Sequence, residues 1–260
     1  MILITGMRRK RLKRQLFPSS WLEVVKRNVP LYLRLPTEDR QELLGHVQVF
    51  LAEKKFEGGG GLVMTDEVRV TIAAQACILL LHRKADYFPG LSSVIVYPAE
   101  YLAPHQTMNE WGVVTEGIDQ RSGESCREGA LVLSWEDVRA EGIDVHEGYN
   151  VVLHEFAHQL DADDGITAGV PFEPEQFGNH PGGDVLTQEY MRLRKDDENG
   201  VPTVLDPYGA ESPEEFFAVA TEAFFQTPLP LRKHHPELYG ELVSYYRQDP
   251  AEWPGIKANP

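Results

Sequence analysis

A chain of 260 residues with 42% hydrophobic content can bury a sizeable core, and that length suits one domain with helical embellishments better than two equal ones. A formal net charge of −15 argues against direct nucleic-acid binding, because the phosphates would repel the protein. Cys77 and Cys126 give no disulfide framework, so a reducing, cytoplasmic setting is expected.

The charge is uneven. Arg8, Arg9, Lys10, Arg11, Lys13 and Arg14 crowd the beginning of the chain, which reads as a flexible basic arm over residues 1–20 ahead of a single domain over 21–260. The short apolar start before this cluster lacks the length of a secretion signal, and no later apolar run is long enough to span a bilayer. Residues 38–56 have helical spacing, with Leu43, Leu44, Val47, Phe50 and Leu51 on the apolar side. The glycines at 58–61 are expected to end this helix in a turn; no Gly-Lys-Ser/Thr follows to make a phosphate loop. Residues 72–81, interrupted by Gln75, read as a buried helix carrying Cys77, whereas Cys126 falls in a polar loop. Residues 93–97, 112–116 and 130–134 are expected strands.

His154-Glu155-Phe156-Ala157-His158 comes next and carries the most chemistry. Residues four apart on a helix lie about one turn apart on one face, so both imidazoles can reach one zinc ion, one per chain. Glu155 projects beside them, placed to take a proton from the attacking water rather than to bind metal. Asn150 suits an N-cap, Val151, Val152, Phe156, Ala157 and Leu160 form the buried side, and Asp163-Asp164-Gly165 ends the helix.

A catalytic zinc needs a third protein ligand. Asp161 lies about 10 Å along the axis from His154, too far for one straight helix to place all three groups on one ion, and it reads as a supporting or helix-end group. No third histidine continues the motif, since Asp161 stands where the required glycine would be. The segment 212–225 is the remaining source: Ser212 caps a helix, Pro213 opens it, and Glu215 and Glu222 share a face. Ser212-x-x-Glu215 also fits a capping box, and Glu222 also fits a solvated position, so spacing alone does not rank the two. The loop 163–184 is expected over the cleft, with His180 a surface residue rather than a ligand.

With these motifs in view, the chain resembles the Mlc titration factor A family of zinc metallopeptidases, whose catalytic region is similar to the protease domain of anthrax lethal factor. The matching residues are His154 to Asp161, Gly169-Val170-Pro171-Phe172, Asp206-Pro207-Tyr208-Gly209-Ala210, Pro213 to Val219 and Glu222-Ala223-Phe224-Phe225. Val96-Tyr97-Pro98-Ala99 and Gly129 to Trp135 match more weakly. The resemblance implies an α+β, zincin-like (gluzincin) domain with a helical N-terminal region. It implies His154, His158 and Glu215 as zinc ligands, Glu155 as general base, Tyr208 as the oxyanion donor, and Glu222 behind a histidine ring. It further implies aminopeptidase-like action on peptides, with the edge of strand 130–134 offered to the substrate backbone, as in other zincin-like proteins. The alternative it carries is a regulatory protein that sequesters a transcriptional repressor, with hydrolysis secondary or switched by that partner.

Overall fold

The computed structural model describes residues 2–84, 86–108, 114–121, 123–126, 129–144, 148–164 and 183–257. Four helices come first: α1 (Ile2–Lys13), α2 (Ser19–Asn28), α3 (Leu31–Arg34) and α4 (Thr37–Glu53). Strand β1 (Lys55–Gly58) and helix α5 (Asp66–Ile78) follow, then β2 (Ser93–Tyr97), β3 (Tyr101–Met108), β4 (Val114–Arg121), β5 (Gly123–Cys126) and β6 (Ala130–Ser134). The remainder is helical: α6 (Trp135–Ile143), α7 (Val151–Asp164), α8 (Gly183–Glu198), a 3-10 turn at Pro207–Ala210, α9 (Pro213–Gln226), α10 (Pro228–His234), α11 (Pro236–Tyr246) and α12 (Pro254–Lys257). This is an α+β protein, and no helix among the described residues is long and apolar enough to cross a membrane.

One sheet has the order β1-β2-β6-β5, with β1, β2 and β6 parallel and β5 antiparallel to β6. Strands β3 and β4 pair as a separate antiparallel hairpin. The alternating β2 buries Val94 and Val96, while β6 buries Leu131, Val132 and Leu133, as befits a strand covered on both faces.

Helix α5 runs through the centre of the molecule. Thr65 caps it by accepting from the Val68 amide at 3.4 Å, Asp66 and Glu67 favour its positive N-terminal end, and Val68 and every residue from Val70 to Ile78 are buried. The Phe50 ring of α4 meets Phe88 and the Phe156 ring of α7 edge-on, at 6.1 and 5.7 Å between centroids. Aromatic pairs of this kind add about 0.5–1.5 kcal/mol each beyond the area they bury. Phe216, Phe217, Phe224 and Phe225 make α9 a core helix, and Thr221 reaches the Tyr246 hydroxyl at 2.7 Å.

Several sequence expectations change here. Within the expected basic arm, residues 2–13 form helix α1, and one of its cations, Arg9, forks onto Glu53 at 2.8 and 2.9 Å and reaches Asp86 at 2.8 Å. The helix expected over 38–56 stops at Glu53, since Lys55–Gly58 are drawn into the sheet beside β2. Gly58 belongs to that strand rather than to a free turn; a Cβ there would lie 2.0 Å from the Leu62 carbonyl oxygen. Cys126 ends β5 instead of lying in a loop. Both edges of β6 are taken, by β2 and β5, and among the described residues no strand pairs with the outer edge of β5. The expected strand 112–116 begins outside the described residues and continues as β4. Residues 165–182, with the Gly169 to Phe172 match and His180, also lie outside the described residues.

Candidate metal centre

The start of α7 is fixed from four directions. The Asn150 side chain accepts from the Leu153 amide at 2.9 Å and donates to Gln75 of α5 at 2.7 Å. The Asn150 amide donates to Glu222 of α9 at 2.7 Å, and the Val151 amide donates to Glu141 of α6 at 2.6 Å. Amides that the helix leaves without internal partners are thereby met by a side-chain cap and two carboxylates, which also suit the positive end of the helix dipole.

One turn further on, His154 and His158 face α9. Their Nε2 atoms are 3.2 Å apart, and one Glu215 oxygen lies 3.0 Å from the first and 3.5 Å from the second. Three donors held at about 2.0–2.1 Å from a tetrahedral ion stand about 3.3 Å from one another, so this triangle has the dimensions of one face of a zinc site. Ring orientation agrees with that reading. Glu222 Oε2 lies 3.1 Å from His154 Nδ1, where the carboxylate can accept the Nδ1 proton and leave Nε2, on the side of Glu215 and His158, as the nitrogen that would meet a metal ion. The donor set and its edges therefore fit a mononuclear metal ion.

The electrostatics follow from burial against pairing. Burial pushes the Glu215 carboxyl up, but His154 and His158 outweigh it and hold it at about 2. Burial would lower the His154 imidazole; Glu215 and Glu222 instead raise it well above the usual range. Glu222, 5% exposed, is raised by burial against the pull of His154. Glu155, 7% exposed on the same helix, is likewise raised by burial, with His158 and His154 pulling it back. A carboxyl moved upward in this way holds a proton more readily than a solvated one, which suits proton exchange with a substrate or water.

Tyr208 sits in the Pro207–Ala210 turn, which Asp206 caps by accepting from the Tyr208 amide at 2.6 Å. Gly209 lets this turn press onto α9, where an added Cβ would meet Val219 at 3.3 Å. The Tyr208 ring centroid lies 6.0 Å from that of His154, and the residue is 46% exposed, so the phenol borders both the histidines and solvent. A cavity of about 520 Å³ opens beside it, rimmed by Arg194, Asp197, Glu198 and Glu211.

The tertiary structure thus brings together His154, His158, Glu215, Glu222 and, at the rim, Tyr208. Asp161 is buried in the last turn of α7 and belongs to no cluster of potential metal ligands among the described residues. Ser212 caps α9 by accepting from the Glu215 amide at 3.2 Å, while the Glu215 carboxylate, which a capping box would use, faces the histidines. Glu141 and Gln75 escaped sequence reasoning; a polar residue inside an otherwise apolar helical run was the signal that could have found Gln75.

Helices α7 and α9 lie face to face in an α+β protein, with two imidazoles and a carboxylate between them that could hold a metal ion. The family model described as glucose-regulated metallo-peptidase M90 matches residues 4–247, and the chain belongs to that metallopeptidase family. An uncharacterised protein of Synechocystis is 39% identical over 244 residues, covering 94% of this chain and 89% of its own. The Mlc titration factor A of Pectobacterium atrosepticum is 32% identical over 231 residues, 86% of this chain and 84% of that protein. That of Yersinia enterocolitica is 28% identical over 239 residues, 89% and 86% respectively.

Proposed function

We propose that the protein is a zinc-dependent peptidase of zincin-like, gluzincin type, with His154, His158 and Glu215 as the ligands. The observation that carries this reading is the 3.0, 3.2 and 3.5 Å triangle of donor atoms, backed by Glu222 on the far nitrogen of His154. Zinc, when bound, supplies a Lewis acid for the scissile carbonyl and favours ionisation of water. Glu155 takes the proton from the attacking water and passes it to the leaving amine, a role its upward-shifted carboxyl suits. The Tyr208 phenol donates to the carbonyl oxygen as negative charge develops there. Glu222 keeps His154 in one tautomer and orientation throughout. The outer edge of β5, unpaired among the described residues and beside α7, accepts the peptide backbone as an added strand, which gives affinity with little side-chain preference. Aminopeptidase action is the narrower form of the proposal, supported by a rim beside Tyr208 on which Asp197, Glu198 and Glu211 outnumber Arg194, a balance that suits a substrate ammonium.

Replacing Glu155 by Gln tests the mechanism. The variant is expected to keep its metal and lose peptide hydrolysis by at least about 100-fold, as for a general base contributing some 10²–10⁴-fold; undiminished hydrolysis would overturn the assignment. Peptides with free and acetylated N-termini separate aminopeptidase from endopeptidase action.

A second reading is favoured by relatives named Mlc titration factor A: the chain binds a transcriptional repressor of that kind. Under it the Glu155→Gln protein still retains the repressor in a pull-down, so the two activities are separable in one variant.

A further inference from the structure

Helix α1 has two faces in different surroundings. Its inner face is fastened to α4: Leu12 packs against the core, Arg9 forks onto Glu53, and the Arg8 guanidinium donates to the Ala52 carbonyl at 3.2 Å. Gly45 lets the two helices close on each other, since a Cβ there would stand 3.3 Å from the Lys13 stem, and the Lys13 ammonium meets the His46 ring at 3.3 Å. Just past the helix, Gln48 of α4 donates to the Gln15 carbonyl at 3.2 Å. These contacts make α1 a fixed part of the surface.

The outer face is built differently. Met7, Lys10, Arg11 and Arg14 recur at the i, i+3, i+4, i+7 spacing of a single helical stripe, the last of them in the closing turn whose amide donates to the Arg11 carbonyl at 3.2 Å. All four are exposed, Met7 at 65%. Among the described residues, the side chains of Lys10, Arg11 and Arg14 make no hydrogen bond or ion pair, and the acidic groups that α1 does engage, Glu53 and Asp86, are taken by Arg9. In a chain where 40 acidic residues outnumber 25 basic ones, this ridge is a local excess of positive charge.

We propose that the outer face of α1 is a docking surface for an anionic lipid bilayer, held by Lys10, Arg11 and Arg14 against headgroup phosphates with Met7 at the contact. Exposed side chains strung along a convex ridge suit a fluid array of phosphates, which gathers beneath them, whereas a folded acidic partner would need fixed carboxylates in register. At physiological salt, exposed charges more than about 8 Å apart are largely screened, so a flat surface touching the ridge responds to these cations before the acidic remainder of the chain. Leu12, on the apolar side of the helix, is committed to the core and cannot be inserted. Attachment is therefore peripheral, electrostatic and reversed by salt.

The test is co-sedimentation of the full chain with vesicles of phosphatidylcholine alone and of phosphatidylcholine mixed with phosphatidylglycerol. The wild type is expected to bind only the mixed vesicles and to leave them as sodium chloride is raised. A cation close to an anionic surface strengthens attachment about fivefold, so the triple variant Lys10→Gln, Arg11→Gln, Arg14→Gln is expected to bind about 100-fold more weakly. A control triple variant, Arg139→Gln, Lys195→Gln, Lys233→Gln, has the same net charge, changes exposed cations of other helices, and is expected to bind as the wild type does. Thermal unfolding of both variants shows that the fold is kept. No binding to the mixed vesicles, equal binding to both kinds, or an equal loss in the two triple variants overturns the proposal. So does transfer from the vesicles to an equal charge of polyglutamate or duplex DNA, which would make an acidic protein or a nucleic acid the occupant.

Discussion

The two clusters of histidine and carboxylate, one at His154 and the other at His82 with Asp39 and Glu42, share their chemistry and differ in what stands behind it. At His154, two helices hold three donors at 3.0–3.5 Å, and Glu222 fixes the ring from its far side. At His82, the histidine sits on an irregular segment, with Asp39 at 3.1 Å from Nε2 and Glu42 at 3.6 Å from Nδ1, opposite edges of one ring that cannot meet one ion. Residue types alone do not make a strong metal centre: rigid backbones and a carboxylate behind the imidazole turn a set of ligands into a preorganised site.

The largest expected effect comes from removing the shared oxygen. Glu215→Ala is expected to strip the metal and abolish hydrolysis together, leaving the His154 cluster with two imidazoles alone; zinc titration beside thermal unfolding checks this. A folded Glu215→Ala protein that still binds zinc tightly would move the ligand role to Glu222. Tyr208→Phe comes next. A lone oxyanion donor is worth about 10²–10³ in kcat, so turnover is expected to fall in that range with zinc content unchanged, and unaltered steady-state kinetics would return Tyr208 to its turn. Glu222→Ala is expected to lose about 10–100-fold in zinc affinity or rate, the size typical of groups that orient a ligand.

The smallest effect concerns the N-terminus of α7. Burial raises the Glu141 carboxyl to about 7, with Glu222 and Asp137 adding to the rise while the Val151 amide and His154 oppose it. A carboxyl raised on folding binds a proton more tightly in the native state, so its contribution to stability is largest below the unfolded value near 4.3 and falls as pH rises to about 7. Glu141→Gln keeps an acceptor for Val151 without the charge. In the metal-free protein it is expected to gain about 1–2 kcal/mol over the wild type at pH 8 and nothing at pH 4, allowing for partial exposure. Urea melts at both pH values would show it; an equal effect at both would mean the carboxyl is not shifted.

Much of the site was legible in the sequence because its signals are local. Helical spacing alone puts His154 and His158 on one face, and Ser212 with Pro213 starts α9 wherever that helix ends up. Glu215 and Glu222 were not separable by spacing, since seven residues return both to one side; what tells them apart is the position of α7, which brings Glu215 to the Nε2 atoms and Glu222 to Nδ1.

The N-terminal arm, the pairing of β6 and the His82 cluster depended on contacts distant in sequence. Arg9 and Glu53 are 44 residues apart, and without that fork the run of cations reads as a solvated tail. β2 pairs with β6 across a long stretch of chain, Ser93 against Ala130, and with the hairpin neighbour β5 on the other side it closes both edges of β6. Composition, periodicity and capping residues by themselves determined the main helices, the histidine face and the chemistry available to it. The tertiary structure decided which carboxylates meet each histidine and which strands pair, because those outcomes are set by distances between elements that no local pattern encodes.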